Sequence, residues 1–188
     1  MDVRQGLGMI PEAPLDPTPE GHVPRGDGWF VLNAREAPWR HADGRTATCL
    51  FEGEPAFSQL GINLTSLEPG QPMAMYHREA DQEDFLVLAG EAVLVIEGEE
   101  RSLRRWDLVH CPADTEHVIV GAGDGTCLVL SVGARIDSLG DDWGAYTVDE
   151  TARAHGASVA VETTSAEEAY AGLPRRRPTR YREGWLPE

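Results

Sequence analysis

The sequence predicts an all-β fold, a single small barrel or sandwich of short strands. Three observations carry this. Between Gln59 and Val132, short apolar runs recur at close spacing. Gly or Pro turns punctuate them, at Glu68-Pro69-Gly70, Gly90, Gly98, Pro112 and Gly121-Ala122-Gly123-Asp124-Gly125. In Gln59–Leu67, Leu60, Ile62, Leu64 and Ser66 alternate with Gly61, Asn63, Thr65 and Leu67, the period of a pleated strand.

Length sets the frame. At 188 residues the chain is one domain with terminal extensions, long enough to bury a core without disulfides. The expected division is an extended arm over 1–28, a barrel over 29–135 and a C-terminal extension over 136–188. No internal repeat is visible. The arm carries Pro11, Pro14, Pro17, Pro19 and Pro24 and reads as extended chain laid on the domain or on a second subunit.

The strands follow in order. Trp29–Asn33 and Arg45–Phe51 come first, with a turn region from Pro38 to Gly44 between them, and then Gln59–Leu67. Met73–Glu79 and Glu83–Ala89 flank a short turn. Ala92–Glu97 and Arg101–Arg104 form a hairpin around Gly98-Glu99-Glu100. Asp107–Cys111, His117–Val120 and Thr126–Val132 complete the set. After Gly133 the pattern turns helical. Asp149–His155 stops at Gly156, and Ser165-Ala166-Glu167-Glu168 is a capping box opening a helix over Ala166–Gly172. The tail holds Arg175, Arg176, Arg177, Arg180 and Arg182, expected to pack on carboxylates of its own or a partner subunit.

Composition excludes some functions. A net charge of -16 argues against nucleic acid or an anionic membrane as a partner. No helix-turn-helix pattern is visible, and no stretch is apolar enough to span a bilayer. All sixteen basic residues are arginine, so no lysine Schiff base can form. Cys49, Cys111 and Cys127 form no CxxC pair, and Cys111 and Cys127 lie in apolar runs. The polar, Pro-rich N-terminus lacks an apolar signal core, which together with the thiols points to the cytoplasm.

The chemistry is concentrated in two polar clusters. His77 and Glu79 are two apart on one strand and share a face. Glu83 lies across a short turn, on the same face as Phe85 and Val87, and His117 arrives from a later strand. Ionised groups over an apolar interior are costly unless a cation takes them together. His77, Glu79, Glu83 and His117 are therefore the candidate ligands of a divalent metal. Imidazole and carboxylate without thiolate suit Fe, Mn, Zn or Ni, and two histidines with one carboxylate match the facial set of non-haem iron enzymes. Glu79 is either a fourth ligand or a free carboxylate beside an open position, where it would act as general base. Met73 and Met75, by alternation, share the His77 face. His110 reads as a packing or surface residue, and His22, His41 and His155 carry no signal.

These clusters resemble the two motifs of the cupin superfamily. The first reads Gly70, His77-x-Glu79, three residues, Glu83, six residues, Gly90. The second reads Trp106, five residues, Pro112-x-Asp114, two residues, His117, three residues, Gly121. The departures are Glu79 for a histidine, Trp106 and Asp114 for glycines, and Gly121 for an asparagine. The resemblance implies a single cupin-type β-barrel of the jelly-roll kind, here with a Pro-rich N-terminal arm and a short C-terminal helical extension. It also implies a bound metal and a homodimer. Two functions follow from it: a metal-dependent enzyme on a small organic molecule, of dioxygenase, isomerase or lyase type, or a non-catalytic small-molecule-binding module.

Overall fold

The structure, a computed structural model, describes residues 9–136 and 143–188. Its strands are β1 (Leu15–Thr18), β2 (Gly21–Pro24), β3 (Trp39–His41), β4 (Ala47–Leu50), β5 (Leu60–Leu67), β6 (His77–Glu79) and β7 (Glu83–Ala89). They continue with β8 (Glu91–Ile96), β9 (Glu99–Arg104), β10 (Leu108–Cys111), β11 (His117–Ala122), β12 (Cys127–Ala134) and β13 (Gly144–Tyr146). Helices α1 (Glu150–Ala154) and α2 (Ala166–Ala169) precede β14 (Arg177–Thr179).

The strands form two main antiparallel sheets. One has the order β10-β7-β12-β5-β4-β3-β14, the other β13-β6-β11-β8-β9. Leu67, Phe85, Val87 and Val129 of the first share a core with Ala92, Leu94, Leu103 and Ile119 of the second. This is a jelly-roll sandwich whose sheets stay separate and do not close into a ring.

The register assigns each residue a face. Directly opposite residues in antiparallel strands share a side. Thr48 faces Thr65, and Asn63 faces Ser131, which faces Phe85. The inward set of β5 is therefore Asn63, Thr65 and Leu67. Its apolar alternate, Leu64, looks outward, in line with Leu130, Leu86 and Leu108 on one side and Cys49 and Trp39 on the other.

Several sequence expectations change. The arm is not wholly extended: β1 and β2 pair as a hairpin, with the part over 1–8 outside the described residues. Trp29–Asn33 forms no strand, since Trp29 makes only an isolated bridge to Glu12. The strand lies instead at Trp39–His41, where the Trp39 indole is fully buried and donates to the Ala34 carbonyl at 2.8 Å. Met73–Met75 is bent, so only His77–Glu79 is a strand there. The hairpin turn sits at Glu97 and Gly98, with φ of 49° and 76°, the left-handed pair that a two-residue hairpin needs.

The C-terminal segment is more than a helical extension. β13 extends the five-stranded sheet at β6, and β14 extends the seven-stranded sheet at β3. Both helices form where their caps predict. Asp149 accepts from Ala152 N–H and Ser165 from Glu168 N–H, although α2 ends at Ala169. Ala152 of α1, with Ala157 just beyond it, covers Val95, Val118 and Val120 on the outside of the five-stranded sheet. Tyr181, Trp185 and Leu186 of the tail cover Trp39 and Cys49 on the outside of the other.

Among the described residues, the arginine tail does not pack on this chain's own carboxylates. Among the described residues none of Arg175, Arg176, Arg177, Arg180 and Arg182 has an ion-pair partner. Arg176 donates to the Thr46 and Thr48 hydroxyls at 3.1 Å, Arg180 to the Pro19 carbonyl at 2.6 Å, and Arg182 lies over the Trp185 ring. Hydroxyls, a carbonyl and aromatic faces hold this tail.

Candidate metal centre

Three strands from both sheets converge on the site. His117 opens β11 and stands directly opposite His77 on β6, with ring centroids 4.9 Å apart. Glu83 opens β7 in the facing sheet. His117 Nε2 lies 3.4 Å and His77 Nε2 3.7 Å from Glu83 Oε2. One ligand atom from each of these three residues lies within 4.8 Å of the others. Glu79 stands beside them, its Oε1 3.8 Å from His77 Nε2, but outside that mutually close set.

Backbone carbonyls set the histidine tautomers. His77 Nδ1 is 2.7 Å from the Met75 carbonyl, and His117 Nδ1 is 3.0 Å from the Thr115 carbonyl. A carbonyl only accepts, so each Nδ1 carries a proton, and in the neutral ring each Nε2 turns its lone pair toward Glu83. This is the outer support that ligating histidines have. Glu83 Oε2 and His117 Nε2 are buried and have no hydrogen-bond partner. Two orphaned buried acceptors aimed at one point are costly unless a cation lies between them. The residues fit a divalent metal.

The carboxylates differ in charge state. For Glu83, burial pushes its pKa up, but the nearby His117 and His77 rings outweigh this and bring it to about 2. Burial and the neighbouring Glu83 hold Glu79 up at about 7. For His117, burial favours the neutral ring, but Cys111 and Glu83 outweigh it and raise the ring to about 10. An ion pair of His117 and Glu83 and a shared metal are competing answers to one electrostatic problem, because a metal takes the same Nε2 that the proton takes.

The site opens into a cavity of about 300 Å³ between the sheets. Thr48, Asn63, Thr65 and Ser131 line one wall, and Trp143, Tyr146 and Tyr170 another, with Arg176 also lining it. Met73 lines the cavity and Met75 does not, because the chain between them is bent. His110 is on the surface, paired with Asp84 at 2.7 Å. Buried Cys49 and Cys127 are pushed up to about 12 and about 11, so neither offers a thiolate.

Sequence reasoning missed the aromatic wall and Arg176. Tyr146 comes from β13, its ring 6.0 Å from His77 and 5.6 Å from Tyr170. Tyr146 lies in a short, fully buried run, Gly144-Ala145-Tyr146, too short to show a period in the sequence.

Comparison with known proteins places this geometry. The cupin domain family matches residues 63–133, which hold His77, Glu83 and His117. This stretch is similar to a cupin domain. Solved structures similar to it include a putative sugar phosphate isomerase from Acidithiobacillus ferrooxidans, with 31% identity over 42% of this chain and 52% of that one, and a TM-score of 0.40. A cupin-superfamily sugar phosphate isomerase from Silicibacter pomeroyi shares 31% identity over 50% and 61% of the two chains, with a TM-score of 0.45. The chain thus spans little more than half the length of these two. A predicted oxalate decarboxylase from Thermotoga maritima shares the fold at 19% identity over 56% and 99%, with a TM-score of 0.50. No curated protein matches the chain.

The departures from the cupin motifs have backbone reasons. Trp106 and Asp114, which stand for glycines, adopt φ of 80° and 64°, the conformation glycine takes without cost. Asp114 is also held by Arg78, Nη1 to Oδ1 at 2.8 Å. At Gly121 a Cβ would lie 2.3 Å from the Glu68 carbonyl oxygen, so no side chain fits there.

Proposed function

We propose that this cupin is a metal-dependent enzyme acting on a small organic molecule. The observation that carries the reading is the facing pair of orphaned acceptors, Glu83 Oε2 and His117 Nε2, with both histidines keyed by backbone carbonyls. His77 and His117 through Nε2, and Glu83 through a carboxylate oxygen, would hold the ion. A divalent ion there supplies Lewis acidity or, if redox-active, activation of oxygen, which are the requirements of isomerase, lyase and dioxygenase chemistry.

Glu79 is assigned the role of general acid–base and not of a fourth ligand. It sits outside the close trio with its Oε1 3.8 Å from His77 Nε2, placed to exchange a proton with a molecule bound beside the ion. Tyr146 lies beside His77 and, with Trp143, excludes water from one side. The working unit is the sandwich over 29–135, extended at its sheet edges by β13 and β14 from the segment beyond it, with the described part of the arm, 9–28, laid against it.

Three free buried thiols support a reducing cytoplasmic setting; no helix is long and apolar enough to cross a membrane. A homodimer is supported by the outward row Leu108-Leu86-Leu130-Leu64, covered by the tail only at its Trp39 end, with Leu108 67% exposed. A monomer mass in sedimentation at micromolar concentration contradicts the dimer.

The experiment for the enzyme reading is turnover of a panel of small hydroxy and carbonyl compounds by metal-loaded protein, followed by oxygen uptake and by NMR. Glu79→Gln should keep the metal and lose activity by roughly 10²–10⁴-fold. A Glu79→Gln variant that turns over any substrate as wild type does would remove its acid–base role. Ligand binding without turnover of anything would leave the non-catalytic binding module.

A further inference from the structure

We propose that the cavity receives a small organic carboxylate, with Arg176 of the C-terminal tail binding the carboxylate group at the end away from His77, Glu83 and His117. This rests on the small-molecule reading above and adds the substrate's chemical class.

The first observation is a charge without a counter-charge. Arg176 lines the cavity, yet among the described residues no carboxylate lies within ion-pair distance of it. The groups that act on it electrostatically are Tyr170, Tyr146 and two further cations, Arg45 and Arg40. A guanidinium stays ionised in a protein, so this positive charge persists in a half-buried place. In a protein of net charge -16, carboxylates are abundant, and none is placed here.

The second observation is how the guanidinium is held. Its Nη1 donates to the Thr46 and Thr48 hydroxyls, both at 3.1 Å. These fix its plane and leave its other N–H groups free for a two-oxygen acceptor. Arg45 stacks on Tyr170 at 5.0 Å from the ring centroid and backs the same side with positive charge.

The third observation is independent of charge. Ser131, 7% exposed, lines the cavity, and its Oγ is buried with no hydrogen-bond partner. Thr65 spends its hydroxyl on Asn63 Oδ1 at 3.3 Å. An orphaned hydroxyl in a cavity wall calls for a polar ligand atom. Arg176 and Ser131 thus offer polar contacts in a cavity that also contains the metal-ligating trio, and Tyr146 bridges the two parts, next to His77 on one side and Tyr170 on the other.

A carboxylate suits this end better than a phosphate. One guanidinium is a single charge with a planar fork, which matches the two oxygens of a carboxylate. The lining described comes chiefly from strands and loops, and Arg176 is the one arginine in it, so a tetrahedral dianion at this end would be left under-coordinated.

The test uses the full chain after chelator treatment, with binding read by calorimetry. The probes are benzoate, neutral benzamide and phenyl phosphate, which share a ring and differ in the head group. Benzoate should bind on the order of tenfold or more tightly than benzamide, and Arg176→Gln should lose that margin while keeping wild-type Mn(II) affinity. His117→Ala should lose Mn(II) and retain benzoate, so failure of the metal reading and failure of this one are separable. Should Arg176→Gln prove unfolded by circular dichroism, Arg176→Lys decides: it keeps the charge and loses the fork, and a several-fold weaker benzoate affinity is expected. Equal affinity for benzoate and benzamide, no benzoate binding, unchanged benzoate affinity in the decisive variant, or tighter binding of phenyl phosphate would each overturn the proposal.

Discussion

The sandwich interior has two ends built from the same strands, and they obey different rules. At the closed end, Leu67, Val87, Leu94, Ile119 and Val129 pack against one another with no polar side chain among them. At the open end, one or two residues along the same strands, the inward positions become Asn63, Thr65, Glu83, His117 and Ser131. Strand β5 passes from Asn63 to Leu67 and β11 from His117 to Ile119 across this boundary. The closed end contributes stability, while the open end carries orphaned acceptors and an uncompensated arginine that the fold tolerates for another reason.

The sharpest break of this comparison is one substitution at each end. Leu67→Ala at the closed end should destabilise by about 2–5 kcal/mol through lost burial and the cavity left behind. Thr65→Val, two residues away on the same face, should stay within about 1 kcal/mol, because it removes only long bonds to Asn63 and Thr48. Urea unfolding of both variants checks this, and equal losses would erase the distinction.

The two ends were not equally legible in the sequence. His77, Glu83 and His117 were readable because their spacing within strands and turns survives folding: two lie in short strands that pair directly. Most core strands were readable as short apolar runs bounded by Gly or Pro turns. The polar wall was not, because alternation in β5 reveals two faces without saying which looks inward, and here the apolar Leu64 face looks out. Tyr146 and Arg176 were hidden for another reason. They reach the site through β13 and β14, which pair with strands far away in sequence, and a three-residue strand leaves almost no periodic signal. The same holds for β3, whose Trp39 is defined by the tail that covers it.

A second effect, smaller than the first, is pH dependence confined to the open end. Glu79 is raised from 4.5 to about 7, so its ionisation costs the folded state stability as pH rises from about 4.5 through 7. His117 is raised from 6.5 to about 10, so its contribution is complete below 6.5 and is lost as pH rises through 10. Glu83 is lowered to about 2, so its contribution is present above 4.5 and is lost as pH falls through 2. The metal-free protein should therefore melt at a lower temperature at pH 8 than at pH 5, and added metal should stabilise it more at pH 8, where fewer protons compete. A thermal shift series with and without Mn(II) reads both. A metal-free melting temperature that rises between pH 5 and pH 8 would contradict this account of the open end.

The smallest expected effect lies in the turn that links β9 to β10, whose Leu103 and Val109 belong to the closed end. Trp106 holds φ of 80° there while 62% exposed. Trp106→Gly should relieve left-handed strain and raise stability by about 1 kcal/mol, less the entropy that glycine adds to the unfolded chain. A clear loss in urea unfolding would mean that the Arg105 guanidinium, 4.5 Å from the indole centroid, contributes more than the strain costs.

The most direct test of the central claim, that the open end is a metal site built by His77, Glu83 and His117, is elemental analysis after incubation with Fe, Mn, Zn and Ni salts followed by desalting. Wild type and Glu79→Gln should each retain one ion per chain, and His117→Ala none. Wild type that retains no ion from any of the four salts would contradict it.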